Sequence, residues 1–294
     1  MTPSYADPHR THLAVLGSPI AHSLSPALHE AAYAALGVPF TYGRHEVASG
    51  ELDAFVAGLG PGQPGLRGLS LTMPLKREVL PMLDSTTPLV DELGVANTIA
   101  FRQVGESVRR VGANTDVEGL VRPVEALGHV PGEATVLGGG ATAASAMTAS
   151  LRLGAQLVRV FVRDTARAGA LVRLATRLGV TLELHPLEEL DAAGPLGFVI
   201  STLPGGAADD LHLTPSGPDA VLFDVAYEPW PTAVASRWEA GGGRVLSGLD
   251  MLTEQAIGQI RFFLSGDQEE LLPDEAAVRR AMRTAVGLPA AITA

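Results

Sequence analysis

Short apolar runs alternate with helical stretches along almost the whole chain, and this alternation narrows the possible folds more than any other feature. HLAVLG (12–17) reads as a buried strand ending on glycine. SPALHEAAYAALG (25–37) reads as the helix after it, with Ser25 as N-cap, Pro26 at the first helical position and Gly37 as the stop. FTYGRHEV and GELDAFVAGLG repeat the pair, and LRGLSLT followed by PLKREVLPML predicts a third. NTIAF and SVRRVGAN read as two extended segments around a polar turn, with a helix predicted from Asp116 to Leu127. The pattern restarts at ATVLGGG (134–140) with helix ATAASAMTASLRLG, then strand VRVFV and helix DTARAGALVRLATRLG. TLELH, GFVIST and AVLFDV supply further strands, with helical stretches such as TAVASRWEAGG among them. MLTEQAIGQIRFFLSG and DEAAVRRAMRTAVG are helical without a strand of their own. Strands alternating with helices imply parallel βαβ units and an α/β fold.

Length fits two such blocks, since 294 residues suggest about two domains, and the turn-like GHVPGEAT places the boundary within 114–134. The chain is 46% hydrophobic and 18% charged, enough apolar material for real cores. A net charge of −11, with no Lys/Arg run longer than two, argues against a nucleic-acid partner. Cysteine is absent, which removes disulfides, thiolate metal sites and cysteine nucleophiles, and fits a reducing cytoplasm. MTPSYADPHR lacks a basic-then-apolar leader pattern, and no apolar run is long enough for a membrane span. The expectation is a cytoplasmic protein with no membrane partner.

Gly138, Gly139, Gly140, Ala141 and Thr142, followed by Ala143, satisfy G-x-G-x-x-[G/A] between a predicted strand and a predicted helix. Such a turn lets backbone approach a pyrophosphate and aims helix N–H groups at it; packing alone can also select it. The next strand-to-helix junction reads V-F-V-R-D-T-A-R. Where an NAD enzyme usually carries an acid for the ribose hydroxyl, this chain has Val162, then Arg163 and Arg167, two guanidiniums suited to a 2′-phosphate and hence to NADP. Asp164 is the opposing charge, unless it caps the helix.

G-S-P-I-A-H-S-L-S-P-A-L-H (17–29) sets Ser23 and Ser25 before a proline-started helix, where hydroxyls and N–H groups can hold a carboxylate or phosphate. Capping alone would account for Ser25 without requiring Ser23. His22 and His29, seven residues apart with no clear acidic partner, do not make a metal site.

These segments together resemble the shikimate dehydrogenase family over nearly the whole chain. Its signature G-x-P-I-x-H-S-x-S-P stands as Gly17 to Pro26, and G-x-N-V-T-x-P-x-K as Gly68 to Lys76. Further elements stand at Gly94 to Thr98, Asn114 to Gly119, Asp224 to Thr232 and Gly248 to Gln255. The resemblance implies reversible reduction of 3-dehydroshikimate to shikimate with NADPH. It implies a substrate-binding domain formed by residues 1–117 and 252–294, with the last helices returning to it. A Rossmann-like NADP-binding domain over 118–251 would lie between, with the substrate in a cleft facing the nicotinamide. By matched positions, Ser23 and Ser25 would hold the substrate carboxylate, and Thr72, Asn97, Asp116 and Gln255 its ring hydroxyls. Tyr227 would sit near carboxylate and cofactor, with Gly248 and Met251 on the nicotinamide side. The chain departs from the family at Ser70 and Glu30, each in place of asparagine. Val162 replaces the asparagine of N-R-T, and Ser201 to Pro204 stand in place of N-A-T-P.

Lys76 is the only lysine in the chain. Carbonyl reduction builds negative charge on oxygen and needs a proton there; an ammonium stabilises the charge and supplies the proton. Arginine cannot give up its proton near neutral pH. The reading puts Lys76 in the first turn of a helix opened by Pro74, the unfavourable end of the dipole for a cation, and pairs it with Asp116 as a unit. For Asp116 the competing reading is an N-cap. For the chain as a whole the competitors are an NAD-preferring quinate/shikimate dehydrogenase and a non-catalytic shikimate sensor. Monomer and homodimer both stay open.

Overall fold

β1 (Thr11–Gly17) is a buried strand, with Leu13, Ala14, Val15 and Leu16 all inside. The computed structural model describes residues 11–59 and 65–293, so the first ten residues, including the N-terminal segment considered above, lie outside the described residues. α1 (Ser25–Leu36) follows, then β2 (Phe40–Glu46), α2 (Leu52–Gly58) and β3 (Leu66–Leu71). Gly37 ends α1 in the left-handed region at φ 67°. The start of α1 differs from the sequence reading by one residue. Leu24 is the N-cap, because its carbonyl accepts the first helical bond from Leu28 N–H, and Ser25 is already helical.

β4 (Ser85–Thr86), α3 (Pro88–Leu93), β5 (Thr98–Val104) and β6 (Ser107–Ala113) complete a six-stranded sheet in the order β2-β1-β3-β5-β6-β4. β1 runs parallel to β2 and β3, whereas β5 runs antiparallel to β3 and β6. The chain reversal brings the start of β5 to the same sheet edge as the ends of β1, β3 and β6.

PLKREVLPML does not form the expected α-helix. Residues 73–79 are turns, and only Leu80–Met82 adopt a short 3-10 turn. The reason lies in the backbone: the Lys76 carbonyl accepts from Ala96 N–H at 2.9 Å, and Leu80 N–H goes instead to Arg77 O. Pro81 has no N–H to offer Arg77. Lys76 is therefore not at a helix N-terminus, and the dipole argument does not apply to it.

α4 (Asp116–Ala126), β7 (Glu133–Leu137), α5 (Ala141–Arg152), β8 (Leu157–Val162), α6 (Gly169–Leu178), β9 (Thr181–Pro186), β10 (Phe198–Ser201), β11 (Val221–Asp224), α7 (Ala233–Ala240) and β12 (Arg244–Ser247) follow. Their six strands pair in parallel in the order β12-β11-β10-β7-β8-β9, so the strand order reverses between β7 and β10. This is the doubly wound arrangement of dinucleotide-binding sheets. β4, α3 and β12 were not expected; β4 and β12 are edge strands of two and four residues, too short to show a periodicity.

α8 (Gly248–Ser265) and α9 (Glu275–Ala285) close the chain. Two compact units emerge, residues 1–115 with 255–290 and residues 116–254 with 291–294, and the division falls inside α8. In the first unit α9 packs on α1. The last carbonyls of α8 are held by arginines from the sheet: Arg67 donates to Phe263 O and Leu264 O, and Arg102 to Phe262 O. Cations at a helix C-terminus satisfy orphan carbonyls and complement the dipole. Phe263 also covers Gly68, where a Cβ would fall 2.4 Å from its ring and 2.6 Å from Ile99 O. Gly68→Ala is expected to destabilise the protein by about 1–3 kcal/mol through overpacking, read as a lower urea midpoint with an unchanged m-value.

Candidate active site

At the sheet edge of the first unit, backbone meets backbone. Ser18 N–H donates to Met73 O at 2.9 Å and Thr72 N–H to Leu16 O at 2.9 Å. A Cβ on Gly17 would stand 2.3 Å from Thr72 Cγ2 and 2.8 Å from Met73 O, so only glycine permits the approach. This contact sets the segment carrying Ser23 and Ser25 beside the turns carrying Thr72 and Lys76. β2 braces the same segment: Glu46 accepts from Ser18 Oγ at 2.6 Å and from Ile20 N–H at 3.0 Å, and Arg44 donates to Ser23 O at 3.3 Å. Ser25 is buried and Ser23 half-buried, with Ser25 N–H donating to Ser23 Oγ. Lys76 is buried on its turn, 9% exposed.

Asn97, just before β5, is a hub of this edge. Its Oδ1 accepts from Thr98 Oγ1 at 2.8 Å and Thr115 N–H at 3.0 Å, and its Nδ2 donates to Thr115 Oγ1 at 2.9 Å and Gln255 Oε1 at 3.3 Å. Gln259, one helical turn beyond Gln255 on α8, donates from Nε2 to Asn97 O and Thr98 Oγ1. Its Oε1 receives Ser70 Oγ at 2.9 Å, and Ser70 in turn receives the Tyr42 hydroxyl at 2.6 Å. At the position where the family carries asparagine, Ser70 is thus satisfied by Tyr42 and Gln259. His29 completes the cluster: it bonds Gln259 Oε1 and the Tyr33 hydroxyl and stacks on Tyr42 with ring centroids 3.8 Å apart. Burial pushes its pKa down to about 3, only partly opposed by Gln259, so the ring is neutral.

In the second unit the glycine turn follows β7 at the point where the strand order reverses. Gly138 has φ 112°, and a Cβ there would lie 2.4 Å from Thr202 Oγ1, which itself donates to Leu137 O. Val162 packs 3.2 Å from the corresponding point on Gly139. Gly140 faces open space and is the N-cap of α5, which has neither a side-chain cap nor an acidic residue in its first turn. Its leading N–H groups, from Ala141 and Thr142 onward, thus have no side chain competing for them, which fits an anion such as a pyrophosphate. Arg163 and Arg167 are exposed after β8. Asp164 caps the 3-10 turn through Ala166 N–H at 3.0 Å and reaches Arg167 at 3.4 Å, so its carboxylate does a structural job.

Tyr227 follows β11 and is half-buried; burial chiefly, then the neighbouring Glu228, raises its pKa. Its segment is shaped by Asp224, which accepts from Thr232 Oγ1 at 2.7 Å and Ala226 N–H at 3.2 Å. A Cβ on Gly248 would fall 2.0 Å from Val225 O, so glycine lets α8 begin directly against this segment. Met251 is buried in the first turn of α8, and Asp116 is buried as the first residue of α4.

Ser23, Ser25, Thr72, Lys76, Asn97 and Gln255 thus belong to the first unit, and Ser25, Thr72, Asn97 and Gln255 sit on elements tied together by backbone or side-chain hydrogen bonds. Asp116, the glycine turn, Arg163, Arg167, Tyr227, Gly248 and Met251 belong to the second. Glu46, Tyr42, His29, Thr98, Thr115 and Gln259 escaped functional assignment from the sequence. Only Gln259 carried a usable signal, four residues after Gln255 and hence on the same helix face.

Linkage gives the neutral His29 a stability signature. The unfolded histidine takes up its proton near 6.5 and the folded one only near 3. Between these values the unfolded state holds more protons, so this stabilisation is complete above pH 6.5 and is lost as pH falls toward 3. The slope approaches about 1.4 kcal/mol per pH unit. Urea unfolding between pH 6.5 and 5.0 should show that slope, and His29→Leu, though less stable at pH 7, should flatten it.

A sequence profile described as the shikimate dehydrogenase substrate binding domain matches residues 15–99. The shikimate dehydrogenase (NADP(+)) of Citrifermentans bemidjiense is 33% identical over 287 residues, covering 94% of this chain and 95% of that protein. The crystal structure of Mycobacterium tuberculosis shikimate dehydrogenase superposes with TM-score 0.77 at 38% identity, covering 93% of this chain and 99% of that one. Shikimate 5-dehydrogenase of Thermus thermophilus, solved in complex with NADP(H) and shikimate, superposes with TM-score 0.74 at 31% identity over 94% and 99% of the two chains. With near full-length identity above 30%, a substrate-domain match and this two-unit α/β fold, the chain belongs to the shikimate dehydrogenase family.

Proposed function

We propose that this protein catalyses the reversible NADPH-dependent reduction of 3-dehydroshikimate to shikimate. One observation carries the reading: the matched signatures of the first unit converge on one sheet edge, while the glycine turn of the second stands at its strand-order reversal. An NADP-linked biosynthetic reaction also fits a cysteine-free chain working in the cytoplasm.

In this proposal Ser23 and Ser25 hold the substrate carboxylate, and Thr72, Asn97 and Gln255 orient the ring hydroxyls. The glycine turn and the open α5 N-terminus hold the pyrophosphate, with Arg163 and Arg167 at the 2′-phosphate. Tyr227 lies near the substrate carboxylate and the cofactor, and Gly248 and Met251 line the nicotinamide side. NADPH supplies the hydride to the carbonyl carbon. Lys76 supplies the proton to the carbonyl oxygen and stabilises the charge growing there, and recovers the proton in the oxidative direction. Asp116 is the second member of this proposed acid–base pair. Burial of Lys76 supports this role, since it holds the side chain to a defined place.

Initial rates on 3-dehydroshikimate test the assignments. Lys76→Ala is expected to lower kcat by roughly 10²–10⁴-fold with little change in substrate KM, whereas Ser23→Ala should mainly raise that KM. A near-normal kcat for Lys76→Ala would remove lysine from the chemistry. Arg163→Ala combined with Arg167→Ala should raise the NADPH KM about tenfold or more, the scale of a lost charge-assisted contact, and leave the NADH value nearly unchanged. Equal effects on both cofactors would place the 2′-phosphate elsewhere.

A further inference from the structure

The buried cluster behind Asn97 and Gln255 runs in one direction, and two backbone groups fix that direction. Asn97 O is a carbonyl and can only accept, so the NH₂ end of Gln259 must face it, at 3.3 Å. That leaves Gln259 Oε1 toward Ser70 and His29, both of which must then donate. His29 bonds through Nε2–H, so Nδ1 receives the Tyr33 hydroxyl at 3.0 Å. At the other end, Thr115 N–H can only donate, which fixes Asn97 Oδ1 toward it at 3.0 Å. Thr98 accepts from Gln259 and donates its own O–H to Asn97 Oδ1. Asn97 Nδ2 then donates to Gln255 Oε1, which turns the carbonyl end of Gln255 toward Asn97 and its NH₂ end the other way. Inverting Gln259 would set its oxygen against the Asn97 carbonyl, so no single flip is tolerated.

From this we infer that Gln259 is a positioning residue: with no proposed ligand contact of its own, it braces, through Asn97 O and Thr98, the Asn97 orientation that Thr115 N–H selects, and with it the polar ends of Asn97 and Gln255 offered to the substrate. The inference rests on the proposed substrate contacts of those two residues. Gln259 is only 2% exposed and ordered on every polar atom. Its helix is anchored independently by Arg67 and Arg102, so its contribution to orientation is separable from holding α8 in place. Groups joined in one chain act as a unit, so removing either of two links has the effect of removing both.

The test uses Gln259→Met and Thr98→Val, each close in volume to the native side chain, and the double variant. Each single variant should raise the KM for shikimate about tenfold, the scale of one lost buried hydrogen bond. kcat should stay within a few-fold and the NADPH Kd unchanged. The double variant should be no worse than the worse single one. Wild-type KM in folded Gln259→Met would overturn the inference, as would effects that multiply in the double variant. A parallel fall of kcat and NADPH affinity in all three would show a merely structural role. Failure of the unmodified enzyme to turn over 3-dehydroshikimate would instead overturn the functional proposal itself.

Discussion

The first unit depends on a place where two stretches of backbone touch with nothing between them. Leu16 and Ser18 exchange hydrogen bonds with Thr72 and Met73 at the ends of β1 and β3, and Gly17 between them has no room for a methyl group. Because β1 and β3 are parallel neighbours, their C-terminal ends open on the same side. Two segments fifty residues apart in sequence thereby become one surface, a route by which open α/β sheets build sites. The reversal at β5 adds Asn97 to that surface, and the end of β6 adds Thr115. Gln255 and Gln259 then arrive from a helix whose far end is clamped by Arg67 and Arg102.

Strands such as HLAVLG were legible because a short apolar run closed by glycine has few other readings, and the glycine turn was legible from its spacing. What escaped the sequence is what depends on distant partners. No periodicity reveals that the Lys76 carbonyl is claimed by Ala96 N–H, so PLKREVLPML scans as a helix and folds as turns. Nor does spacing show why Ser70 is tolerated; that requires seeing Tyr42 and Gln259 supply its bonds. His29 invites a metal reading by residue type alone, whereas burial and Gln259 make it a neutral member of a polar core.

A motif marks residues without saying what each does, and the physics separates them. Asp224 and Thr232, at the two ends of one signature, bond to each other and fold the segment between them; burial raises the Asp224 pKa. Thr232 also caps α7 through Ala235 N–H. Gly248 is required by the Val225 carbonyl beneath it, and Gly138 by its positive φ and by Thr202. Gly140 is different, since nothing packed around it forbids a side chain. A glycine beside open space, ahead of uncapped N–H groups, fits the anion site proposed for this turn.

The same separation bears on the lone lysine. Arg261 shows what a planar fork does: it grips Glu275 with two bonds of 2.6 and 2.7 Å. Lysine could not reproduce that geometry. Lys76 occupies the opposite situation, a buried point charge on a turn whose carbonyl is pinned to Ala96 and whose neighbours Thr72 and Met73 are pinned to β1. Such a support fixes the base of a flexible side chain while leaving its ammonium to be positioned by bonding partners. The proton donor proposed at this position would need such a support, and a guanidinium serving only as charge would not.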